Sequence, residues 1–149
     1  MTTFRIGLFD SRAVAIAYGN SGLFSQHLSS LTAAYNEDKG ASNEERVKEI
    51  EAKLQALQHL AHQQAFSTGS VANILEKIKD ALPAIAEETG VSIIVSKWEV
   101  AHRDSSLEVV DVTSHLVKQF NPGEQALKWI EDGRNQVPIP IEEITFDID

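Results

Sequence analysis

Two histidines one helical turn apart, His59 and His62, are the residues whose spacing points most directly to chemistry. Side chains three positions apart share a helix face, so both imidazoles can reach one metal ion. A zinc site needs a third ligand, and His27, His102 and His115 stand at no spacing that recommends them. The His-Glu-x-x-His signature is not formed, because Leu60 and Ala61 follow His59. Two polar histidines beside Gln58, Gln63 and Gln64 also suit a solvated helix flank, which is the commoner fate. The expectation is therefore no metal and no cofactor, with His59 and His62 as the pair to watch.

Asp10-Ser11-Arg12 directly follows a strand-like run, a place where loops hold nucleophiles or anions. The rival reading is a helix cap, with Arg12 paired to Asp10 or solvated, and the strand-to-helix position favours it. Asp111 and Thr113 read the same way, as a pair that accepts from and opens a helix. Trp98 and Trp129 are candidate partner anchors, since tryptophan is enriched at binding hot spots, although core packing is the more frequent use. No Gly-x-Ser-x-Gly elbow, phosphate-binding loop or dinucleotide fingerprint is present. No catalytic residue is assigned, and a non-enzyme is expected.

The elements that must carry these residues follow from periodicity. Phe4, Ile6 and Leu8 alternate on one face of a strand over residues 4–9. Arg12 to Tyr18 suits a short buried helix, and Phe24, Leu28, Leu31 and Tyr35 mark a second. Asp38 to Asn43 breaks the pattern, and Ser42 with Glu45 reads as a capping box. Val47, Ile50, Leu54, Leu57 and Ala61 then form a stripe stepping by three and four. After a turn around Gly69, residues 71–89 carry a matching stripe, which Pro83 must kink or restart and Gly90 must end. Those two stripes predict an antiparallel helical hairpin within about residues 23–89.

Residues 91–96 are β-branched and predict a strand; residues 98–102 predict its neighbour. Asp111 to Phe120 and a segment capped by Asn121-Pro122 read as helices. The fold class is α+β, mostly helical, with the hairpin inserted between an N-terminal strand and a later strand pair, then C-terminal helices. Ile139, Ile141, Ile144, Phe146 and Ile148 are too apolar for a free tail, so residues 121–149 are expected to fold back as a clamp.

With 149 residues the chain is long enough for one buried core. A net charge of −9 argues against nucleic-acid binding, which needs clustered cations. Absent cysteines remove disulfides, thiolate catalysis and cysteine-based metal sites. No run approaches a membrane span, so no membrane insertion is expected, and the opening residues lack a secretory pattern.

The opening Phe4-Arg5-Ile6-Gly7-Leu8-Phe9-Asp10-Ser11, the passage Ile85-Ala86-Glu87-Glu88-Thr89-Gly90-Val91-Ser92-Ile93-Ile94-Val95 and the string Val110-Asp111-Val112-Thr113-Ser114-His115-Leu116-Val117-Lys118 resemble the OmpH/Skp family of small periplasmic chaperones. The resemblance covers about residues 1–120, the hairpin matching in pattern only. It implies a homo-oligomer, a trimer, whose strands combine into a small β-body while helical arms enclose non-native client chains without ATP. It also implies a periplasmic setting with a leader removed, whereas Met1 as native start would imply the cytoplasm. The family's best-known members are basic with long arms, whereas this chain is acidic and breaks near Gly40. Residues 121–149 have no counterpart in it. The functional expectation is a non-enzymatic protein-binding, holdase-like chaperone with unfolded proteins as partners. One alternative is an oligomeric scaffold for one specific folded partner; another is a metal-dependent hydrolase using His59 and His62.

Overall fold

A computed structural model describes residues 4–144. The expectations for Phe146 and Ile148 lie outside the described residues. Strand β1 (Arg5–Phe9) leads into helix α1 (Ser11–Gly19), followed by α2 (Gly22–Gly40) and α3 (Glu44–Phe66). The chain returns through α4 (Ala72–Leu75), a 3-10 stretch (Glu76–Ala81) and α5 (Leu82–Thr89) to β2 (Ile93–Ser96). Strand β3 (Glu108–Asp111), α6 (Thr113–Val117), a 3-10 turn (Lys118–Phe120) and α7 (Glu124–Gly133) complete the fold, with a last 3-10 turn at Ile141–Glu143. The architecture is α+β and mostly helical, with a hairpin inserted after the first strand.

The three strands form one parallel sheet in the order β2-β1-β3. Ile6 lies between Ile93 and Val109, and Leu8 between Val95 and Asp111. The later strands therefore do not pair with each other; each flanks β1. Gly7 belongs at the centre because an added Cβ would sit 3.1 Å from Val91 and 3.2 Å from Val112. Gly90 closes α5 with φ of 71°, a left-handed conformation that costs a side chain dearly.

The core lies on one side of this sheet. Phe9, Val14, Tyr18, Ile74, Val112 and Leu116 are buried together, with Ile94 and Val110 packed against them from the flanking strands. Tyr18 stacks edge-on against Phe24 at 5.3 Å and Phe120 at 5.9 Å, joining the root of α2 to the body. Among the described residues no helix is long and apolar enough to cross a membrane.

Several sequence-based expectations are corrected. The stripe on α3 meets α2, not residues 71–89, so the hairpin is Gly22–Phe66, and α4 packs back on α1. Residues 71–89 are not one continuous helix: helical geometry fails at Ile78 (φ −120°, ψ 17°). The chain restarts as α5 with Pro83 in its first turn, where its missing N–H is harmless, which is the restart Pro83 allowed. Residues 98–102 are not a strand. Lys97–Glu99 is a 3-10 turn that swings the Trp98 indole inward, and the third strand is β3 instead. Finally, Asn43 rather than Ser42 caps α3, accepting from Arg46 N–H at 3.3 Å, because Ser42 takes φ of 58° at the arm tip. Asn121 likewise is left-handed and closes the preceding turn, leaving Gly123 at the start of α7.

Candidate functional site

The three strands all end at the same edge of the sheet, and the chemistry-bearing residues gather there. In a parallel sheet the crevice beyond the carboxyl ends, where successive connections leave to opposite sides, is the usual ligand position. Here β1 is central, with β2 and β3 on either side. Asp10 caps α1 by accepting the Arg12 N–H at 3.0 Å. The Arg12 guanidinium then folds back onto the same carboxylate, with Nε 3.2 Å from Oδ1 and Nη2 3.0 Å from Oδ2. Its remaining arm donates to the Gln136 carbonyl at 2.8 Å, pinning the chain beyond α7.

The Trp98 indole N–H donates to Asp10 Oδ1 at 3.1 Å, and the ring lies under the Lys97 ammonium at 4.6 Å and the Arg12 guanidinium at 5.3 Å. Lys97 Nζ stands 4.0 Å from Asp10 Oδ2. Burial alone would raise the Asp10 pKa, but the hydrogen bonds from Arg12 and Trp98 and the Arg12 charge outweigh it and hold the carboxyl below its ordinary value. A buried charge is tolerated because it is paired and bonded on several sides.

The other flank is closed by Asp111 and Thr113. Asp111 accepts from the Thr113 N–H at 3.0 Å and its hydroxyl at 2.6 Å, while the same hydroxyl accepts the Asp10 N–H at 3.0 Å. The hydroxyl therefore has its proton and a lone pair committed to joining β1 with α6. Asp10 is found as a cap, whereas α6 has Val112 at its N-cap position and Asp111 instead bridges to Thr113 just before it; the fold brings both pairs within one hydrogen-bonded knot. A cavity of about 560 Å³ adjoins it, with Leu8, Val109, Leu127 and Ile130 as apolar wall and Lys97, Glu131 and Arg134 at its rim. Ser11 is buried beneath, its Oγ without a hydrogen-bond partner among the described residues.

His59 and His62 lie elsewhere, on α3 near the base of the arm. His62 stacks edge-on against Phe66 at 5.4 Å. No group of three His, Asp or Glu side chains comes together for a metal ion among the described residues, so His27, His102 and His115 do not complete the pair. His115 sits on α6 with Nδ1 buried and without a partner among the described residues. Trp98 serves the interior knot, whereas Trp129 is half exposed on α7.

Two surfaces were missed by sequence reasoning. The first is the outer face of the sheet. Phe4, Ile6, Leu8, Ile93, Val95 and Val109 share it by strand alternation and register, and none of them joins the core. The alternation of β1 was the available signal; that the flanking strands add to the same outer face was not readable without their register. The second is a groove of about 660 Å³ between α1, the end of α3 and α7, which unites residues remote in sequence. No family model, curated protein or solved structure matches this chain.

Proposed function

We propose that this chain is a non-enzymatic protein-binding module that assembles with copies of itself and holds non-native segments of other proteins. The observation that carries the reading is the apolar outer face of the sheet, where Phe4 and Ile93 are exposed and Ile6, Leu8, Val95 and Val109 are half-buried. Parallel sheets are ordinarily covered on both faces, yet here Ile6, Leu8, Ile93, Val95 and Val109 stand outside the core. A contiguous patch of this kind marks an interface. The hairpin supports the second half of the reading. No described residue of α2 is buried, so its apolar stripe and that of α3 are open along their flanks. The resemblance to OmpH/Skp chaperones accords with both features and gives three as the number of copies.

Light scattering coupled to size exclusion tests the assembly. A multimer that falls to monomer in Ile93→Asp, without loss of helical signal, is the expected result; a strict monomer across micromolar concentrations overturns it. Suppression of aggregation of several unrelated unfolded proteins without ATP tests the holding activity. The half-exposed Trp129 favours the second reading, a scaffold for one folded partner, and capture of a single partner with no suppression would select it.

A further inference from the structure

The groove between α1, the end of α3 and α7 has features that the outer sheet face and the arm lack. Its floor is made by small side chains, with Ala13 and Ala15 buried in it. Its rim is large and apolar: Phe66 is 50% exposed, Trp129 49% and Val137 88%. A groove with an apolar floor, edged by exposed aromatic residues, suits the docking of bulky side chains.

One wall is built in advance. Arg12 donates to the Gln136 carbonyl at 2.8 Å, the Ile139 N–H donates to the Phe66 carbonyl at 2.9 Å, and the Ser67 hydroxyl donates to the Ile139 carbonyl. These bonds fix residues 136–139 against the end of α3, so an occupant meets an ordered wall and loses little to ordering it.

The charges of the lining select the occupant. Asp10 and Arg12 neutralise each other, and His62 is stacked on Phe66. Asp132 remains, in no ion pair among the described residues, on a chain of net charge −9. An apolar occupant flanked by cations is therefore favoured over one flanked by acids. It also disfavours a second copy of this acidic chain.

We infer that this groove docks a short apolar segment of another protein carrying adjacent lysine or arginine, its bulky side chains entering between Trp129, Phe66 and Val137. The inference rests on the protein-binding reading above and assigns that activity a client-recognition site separate from the assembly face.

The test uses the full chain and two fluorescein-labelled peptides followed by anisotropy. Both peptides share a core of leucine and phenylalanine; one is flanked by lysines, the other by glutamates. The lysine-flanked peptide should bind more tightly. Trp129→Ala and Val137→Asp, both at exposed positions, should each weaken it about ten-fold. Asp132→Asn should remove most of the preference for lysine while leaving the apolar contact. Unchanged affinity in both rim variants overturns the inference. So does dissociation of the wild-type assembly by Trp129→Ala with peptide binding intact, which would assign the groove to a second copy. If aggregation suppression persists while the rim variants bind normally, the groove fails alone. If the peptide binds through the rim but no aggregation is suppressed, the broader holding activity fails and the groove stands.

Discussion

The body and the arm are built from similar helical patterns and reach opposite degrees of burial. In the body, α1 is enclosed nearly from end to end, and Ile74, Val112 and Leu116 expose nothing. In the arm, 19 residues of α2 bury no described side chain, and the 23 residues of α3 bury only Ile50 and Gln64. Gln64 belongs to the body end, where it donates to the Ser70 carbonyl at 2.9 Å and Asn73 Oδ1 at 2.6 Å. A stripe of given spacing thus guarantees a helix face but not a partner for it. The body supplies several neighbours to each face; the arm supplies one.

The largest test of this difference lies at the knot that fastens the body. Arg12→Ala leaves the Asp10 carboxylate buried without its main partner and frees the Gln136 carbonyl. Urea unfolding should show a loss of about 3–5 kcal/mol, and a loss below about 1 kcal/mol would mean that solvent already screens the pair. Next is a matched truncation. Ile74→Ala in the body should cost about 2–5 kcal/mol, whereas Leu28→Ala in the arm should cost about 1 kcal/mol or less. Equal costs would break the distinction, and would show that the arm is packed by something further.

Acid should separate the two regions by a smaller margin. The Asp10 carboxyl has a lower pKa folded than unfolded, so its contribution is complete above the unfolded value of about 4. That contribution is lost as pH falls through the depressed folded value. Thermal midpoints should therefore drop more steeply below that pH for the native protein than for Asp10→Asn; parallel curves would refute the assignment. The smallest effect is expected at the arm tip. Asn43→Ala removes the side-chain acceptor for the Arg46 N–H and should cost about 1 kcal/mol, visible as reduced helical signal with the body's midpoint unchanged.

What could be read from the chain was local. The alternation Phe4-Ile6-Leu8, the Asp10 cap, the α3 stripe and the end of α5 at Gly90 each depend on neighbours a few residues away, and each is found. The choice of partner for α3 was not local. Both the α2 and the 71–89 stripes fit it, and the left-handed Ser42 turn decides between them. Trp98 sits among residues of β propensity, yet an acceptor 88 positions earlier turns its indole inward. Strand β3 offers only Val109 and Val110 between acids, and becomes a strand through its register with β1. Asp111 and Thr113 were expected to cap α6, which has Val112 at that position; their junction with Asp10 was not legible.

The all-parallel sheet also fixes an order of events. Not one of its strand pairs can close through a tight turn, and the Arg5–Glu108 bridge at its end joins residues 103 apart. Loop-closure entropy must be met before such distant pairings return any stability, so the sheet forms late and slowly. The α2–α3 hairpin needs only its own short connection and can form while the chain is still being made. On a ribosome β1 emerges before β2 and β3 and waits, its apolar side chains open, until residues beyond Asp111 have followed. During that interval the nascent chain is itself the kind of exposed apolar segment that holding proteins exist to shield.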